Sequence, residues 1–215
     1  MMEHEEAPNE RQQLEQEVRA LCEREDIGGA VERTLQGYGR EILRLMHSVM
    51  HQPDAARDAF SLFSENLFKG LPKFRWESSL RTWSYRLARN ACYQVMHAPS
   101  AREQPMSLSA LPEQELHPRT ETHPWQRTSV KERFRQLREQ LKPEERMLLM
   151  LRVDQRLSWA EIARVMAEAE EGAGSEPVAR RAAALRQQFQ RLKTHLRELA
   201  VKEGLLSPED TEHLH

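Results

Sequence analysis

Apolar residues recur at three- and four-residue steps in two blocks of this chain, and a proline-rich stretch without that period separates them. The spacing is that of a helix with one buried stripe. In the first block the pattern runs from about Val31 through Ile42, Leu45, Met46 and Val49, and Pro53 ends it. Asp54 is a candidate cap for the next helix, along which Phe60, Phe63, Leu67 and Phe68 recur up to Leu71-Pro72. Ser78 or Ser79, both good N-cap residues, opens a third helix that turns Leu80, Trp83, Leu87 and Ala91 toward a core. Pro99, Pro105, Pro112, Pro118 and Pro124 then deny the following stretch a long helix.

The second block starts with Val130, Phe134, Leu137 and Leu141 and continues from Met147 to Leu151. Ser158 and Glu161 have the spacing of a capping box, which opens a new short helix. The acidic AEAEEGAGSE reads as a loop. Beyond it Val178, Ala182, Leu185, Phe189, Leu192, Leu196 and Leu199 mark one long amphipathic helix. That stripe suits an intramolecular core or a coiled-coil seam equally. With only 8 glycines, 6% aromatic and 31% charged residues, composition also favours helix over sheet. The expected class is all-α: two small helical domains, 31–97 and 130–202, joined by a Pro-rich linker at 98–129, with an acidic arm at 1–30 and a tail at 203–215.

The net charge of -2 hides an uneven distribution. Residues 1–30 carry Glu3, Glu5, Glu6, Glu10, Glu15, Glu17, Glu23, Glu25 and Asp26 against Arg11, Arg19 and Arg24. From Leu71 to His97 the balance reverses, with Lys73, Arg75, Arg81, Arg86 and Arg89 against Glu77; from Pro177 to Lys202 the bases face Glu198 alone. These two basic stretches are where a phosphate backbone would be engaged.

Other classes find little support. No apolar run reaches membrane-span length, and the acidic start lacks the basic-then-apolar order of a signal peptide, so a cytoplasmic location and no membrane partner are expected. Cys22 and Cys92 suggest neither a disulfide framework nor a zinc cluster. His47 and His51 have the i, i+4 spacing of helical metal ligands but no third ligand, so no metal site is expected. With no phosphate loop, nucleophile elbow or acid–base cluster, the reading is no enzyme, no catalytic residue and no cofactor.

Phe74 to Gln94, FRWESSLRTWSYRLARNACYQ, is the most informative segment. Arg81, Tyr85, Arg89 and Tyr93 repeat every four residues along one helix line, alternating guanidinium and aromatic groups. Such a line suits a nucleic-acid strand, since arginine binds phosphate and rings accept unstacked bases. A solvated basic face with buried aromatics fits the same pattern.

The run GLPKFRWESSLRTWSYRLARN, Gly70 to Asn90, resembles the second conserved region of bacterial RNA polymerase sigma factors of the extracytoplasmic-function type. The resemblance implies that Arg75, Trp76, Glu77, Ser78 and Ser79 form a loop reading flipped bases of the minus-ten element. Arg81, Thr82, Tyr85, Arg86, Arg89, Asn90 and Tyr93 would line the helix behind it. PDAARDAFSLFSENLFKGL resembles the family's polymerase-binding helix, placing Asp54, Arg57, Asp58, Ser61, Leu62, Glu65 and Asn66 at the β′ clamp helices. It departs from the family where Ser61-Leu62 replaces a usual Gln-Glu pair and Arg57 a common acid.

LKPEERMLLMLRVDQRLSWAEIARVM resembles the start of the family's fourth region, a helix-turn-helix shared with many regulators. AEAEEGAGSEPVARRAA is then inserted before LRQQFQRLKTHLREL, where Arg186, Gln187, Gln188, Gln190, Arg191 and Lys193 are candidates to read the minus-thirty-five element. The implied partners are core RNA polymerase, through its β′ clamp helices and β flap, promoter DNA, and an anti-sigma factor. The reading is thus a sigma factor that acts in transcription initiation by recognising and melting promoters. Its rivals are a helix-turn-helix regulator without productive polymerase binding and a protein that binds no DNA.

Overall fold

The computed structural model describes residues 6–50, 52–98, 133, 135–167 and 177–205. Among these only helices and turns occur. In chain order they are α1 (Glu6–Glu23), α2 (Ile27–Met50), α3 (Pro53–Gly70), a 3-10 turn (Leu71–Lys73) and α4 (Leu80–His97). A helical turn at 135–139 precedes α5 (Pro143–Leu149), a π turn (Met150–Asp154), α6 (Trp159–Val165) and α7 (Val178–Lys202). The expected linker falls largely outside the described residues, as do most of the acidic loop after α6, the tail, Phe134 and His51.

Local chemistry sets the boundaries. Asp26 opens α2 by accepting the Gly29 N–H at 2.9 Å. Pro53 does not merely stop α2: it is the first residue of α3, where its fixed φ suits a helix start and its missing donor costs nothing. Asp54 therefore lies inside the first turn, paired with Arg57 at 2.9 Å, and is not the cap expected of it. Ser79 does cap α4, accepting the Thr82 N–H at 3.1 Å. The Ser158–Glu161 capping box forms in both directions, at 3.3 and 2.7 Å, and opens α6. Pro143 starts α5 anew, so the apolar pattern that crosses Leu141 is two helical pieces rather than one.

In the N-terminal half α2, α3 and α4 enclose Ile42, Leu45, Met46, Phe63, Leu67, Leu80 and Tyr85. The acidic arm of the sequence reading is no arm over residues 6–23. It is α1, whose Leu14 and Val18 are buried against α2 while Glu10, Glu15, Glu17 and Glu23 stay outward or half-buried. Gly37 marks the closest approach, because a Cβ there would run into the Leu14 side chain. In the C-terminal half Leu185, Phe189 and Leu192 of α7 pack on α6, with the Trp159 and Phe189 rings edge to face at 5.5 Å. The chain itself thus covers this part of the stripe, which the coiled-coil alternative would have left for a partner helix.

The apolar period misplaces two groups. Phe68 is 55% exposed rather than buried, and Trp83 and Leu87 are half-buried at the rim. Truncation separates the two phenylalanines of α3. Phe63→Ala should cost about 3–5 kcal/mol, whereas Phe68→Ala should stay within about 0.5 kcal/mol, both measured by urea unfolding of the full chain.

Candidate nucleic-acid interface

The loop before α4 is ordered by rings. Phe74 stacks on Trp83 at 4.6 Å and meets Trp76 at 4.8 Å. Trp76 has φ 58, a left-handed conformation that a bulky side chain adopts at a cost. The Phe74 ring on one side and the Arg19 guanidinium of α1, 5.7 Å from the indole, offset that cost. Arg75 and Glu77 flank it in solvent, their side chains 83% and 77% exposed.

The α4 N-terminus is doubly satisfied. Besides the Ser79 cap, the Glu15 carboxylate of α1 accepts the Leu80 N–H at 2.7 Å, which suits a negative charge at the positive end of the helix. Burial pushes the Glu15 carboxyl up, and the Leu80 and Arg81 amides pull it back. Ser78 and Ser79 are half-buried, so only part of the five-residue loop is open to a ligand.

The structure corrects the expected strand-facing line of α4. Arg81, Thr82 and Tyr85 are buried, not exposed. Arg81 donates to both Glu41 oxygens, at 2.9 and 3.2 Å, and to the Tyr85 hydroxyl at 3.3 Å. Burial, with the Glu41 charge beside it, pushes the Tyr85 phenol far up. Arg89 lies over Tyr93 at 4.6 Å, both half-buried. The line of α4 that reaches the rim is instead the half-buried Trp83, Arg86 and Asn90 with the exposed Gln94 and His97, spaced three and four residues apart and continuous with the Phe74–Trp76–Trp83 ring cluster. The resemblance implies Arg86 and Asn90, whereas the apolar period places Trp83 in the core. Aromatic stacking outside the core has no periodic signature.

On α3 the expected polymerase contacts share a surface. Asp54, Arg57, Asp58, Ser61 and Glu65 are exposed along one face, with Leu62 and Asn66 half-buried beside it. Asp54 pairs with Arg57, and Glu65 with Lys69. Phe68 continues this face at the same spacing. On α7, Arg186, Gln187, Gln188, Gln190 and Arg191 are exposed and Lys193 half-buried, opposite the buried Leu185, Phe189 and Leu192. Arg186 also lies 5.8 Å from the Trp159 ring.

The buried pair generates a test of its own. Glu41→Ala leaves the Arg81 guanidinium without its carboxylate. The expected loss is about 3 kcal/mol in urea unfolding, the low end for a broken buried pair because Glu41 is still partly solvated. Glu41→Gln, which keeps an acceptor, should lose less.

Residues 35–98, from within α2 to the end of α4, match the family model of sigma-70 region 2. The chain is also 29% identical over 146 residues, 64% of its own length and 79% of the relative's, to the RNA polymerase sigma factor YlaC of Bacillus subtilis. The chain thus carries a sigma-70 region 2 over residues 35–98 and is similar beyond it to a sigma factor, in line with its resemblance to the extracytoplasmic-function type.

Proposed function

We propose that the chain acts as a sigma factor, bringing core RNA polymerase to promoters and helping to open them. The observation that carries this reading is the aromatic cluster of Phe74, Trp76 and Trp83 leading onto Arg86 and Asn90 inside a sigma-70 region 2. Rings at the rim of a domain offer faces on which an unpaired base can stack, and the adjacent guanidinium offers charge for its phosphate. In this reading Arg75, Trp76 and Glu77 meet the minus-ten bases and Arg86 and Asn90 the strand that leaves them. The bond chemistry remains the polymerase's.

The α3 face is the proposed dock for the β′ clamp helices. Phe68 gives its Asp58, Ser61 and Glu65 surface an apolar anchor of the kind protein interfaces favour. The exposed side of α7 is the proposed reader of the minus-thirty-five element, near the β flap. An anti-sigma factor is a further proposed partner.

Holoenzyme assembled from core polymerase and the full chain provides the test. Trp76→Ala and Arg86→Ala should each reduce permanganate reactivity of the minus-ten strand about tenfold, within the 1–3 kcal/mol that stacking a base on a ring is worth, while the holoenzyme still forms. Unchanged melting would remove these residues from strand opening. Asp58→Arg with Glu65→Arg should instead weaken co-purification with core enzyme. If that variant binds core as the parent does, α3 is not the dock.

A further inference from the structure

Helices α1 and α2 leave a cleft of about 460 Å³ between them. Glu10 and Arg11 line it from α1, and Arg33, Tyr38 and Glu41 from α2. Its wall is held in place from outside the lining, where the Glu17 carboxylate accepts from Gln13 Nε2 at 3.0 Å and from Arg33 Nε at 2.6 Å. The region 2 match begins at residue 35, so Glu10, Arg11 and Arg33 lie outside it.

The hydrogen bonds around this cleft do not close. Tyr38 is 3% exposed, and its buried hydroxyl has no hydrogen-bond partner. Burial pushes the phenol up to about 12, and the Glu15 and Glu41 charges push the same way against Arg81 and Arg11, so at neutral pH the group keeps its proton and is a donor. Both carboxylates are already engaged, Glu41 with Arg81 and Glu15 with the Leu80 amide. A buried donor left unmet is costly and rare in a folded chain. Arg11, whose charge reaches the phenol, has no ion pair among the described residues. Arg33 commits its Nε to Glu17 and keeps its Nη groups for a further acceptor. Three donors with capacity to spare thus border one cleft.

We propose that the cleft between α1 and α2 binds a small phosphate monoester that carries an amino group, its phosphoryl oxygens meeting Arg11, Arg33 and the Tyr38 hydroxyl and its amine meeting Glu10. Donors that arrive from two helices suit the tetrahedral spread of phosphoryl oxygens better than the plane of one carboxylate, and guanidinium groups pair with phosphate through two bonds at a time. The cleft has room for more than the anion, since small-molecule sites run from about 300 to 1,000 Å³. Glu10 is exposed at its edge and suits an ammonium group. The same acid, with Glu41, sets negative charge against a polyanion, so a nucleic-acid strand fits poorly here. A ligand held this way ties α1 to α2 and steadies the helix that brings Glu15 and Arg19 to the loop before α4.

Phosphoethanolamine is the probe, titrated into the full chain by calorimetry at constant ionic strength, with inorganic phosphate compared in parallel. The parent should saturate with a Kd below about 1 mM. Phosphoethanolamine should bind about threefold more tightly than inorganic phosphate, the gain that one exposed ion pair supplies. Arg11→Gln and Tyr38→Phe should each weaken binding about tenfold, the effect of losing one hydrogen bond to a charged group. Arg24→Gln, which removes an exposed arginine of the same region outside the cleft, should leave binding unchanged. Tyr38→Phe should also raise the Tm of the unliganded chain, because it deletes a buried donor without a partner, and this shows that the variant folds. No saturation up to about 10 mM would overturn the site. Equal weakening by Arg24→Gln and Arg11→Gln would reduce it to general attraction of anions. Unchanged affinity in Tyr38→Phe would overturn the hydroxyl's part, and equal affinity for the two probes that of Glu10. Polymerase enters none of these measurements, so the site and the sigma reading fail separately.

Discussion

The arrangement depends on the Arg81–Glu41 pair. A guanidinium 8% exposed is tolerable only if its donors are taken, and Glu41, Tyr85 and Gln155 take them from three elements. One side chain thereby registers α4 on α2, aligns Tyr85 in the core, and faces the turn that follows the π segment. Apolar packing supplies cohesion along the same seam but no direction. The charged pair specifies which turn of α4 lies against which residue of its neighbours.

The acidic α1 performs a similar service at the other end of α4. Glu15 places a carboxylate at the helix N-terminus, Arg19 supports the strained Trp76, and Leu14 fits against Gly37. A segment whose composition suggests a solvated tail is thus a structural part of the loop that precedes α4. Its charge does two jobs at once, since the acids that keep its outer side wet also satisfy a helix end that would otherwise present bare N–H groups.

Surface chemistry divides along the helices. Helix α3 turns acids, hydroxyls and Phe68 outward, the rim of α4 turns out rings and bases, and α7 turns out arginine and glutamine. Each is the outer side of a helix whose inner side is core. Substitutions on the two sides therefore report on different properties, binding on one and stability on the other.

Much of this was legible in the amino-acid order. Helical class, a cap at Ser78 or Ser79 and one at Ser158, the buried Leu185–Phe189–Leu192 side of α7 and the region 2 likeness signalled by Gly70–Asn90 all follow from local rules: period, capping geometry and contiguous motif. What failed to read was whatever depends on residues distant in sequence. Arg81 and Tyr85 have the spacing of an exposed basic line, and only the arrival of Glu41 and Gln155, 40 and 74 positions away, makes them a buried junction. Phe68 and Trp83 have the spacing of core residues, and only the finite width of the neighbouring helices leaves them at the rim. Sequence determines which face of a helix has the chemistry to be buried or to bind; tertiary structure decides which part of that face is covered, because burial is a property of the space between elements and not of any one of them.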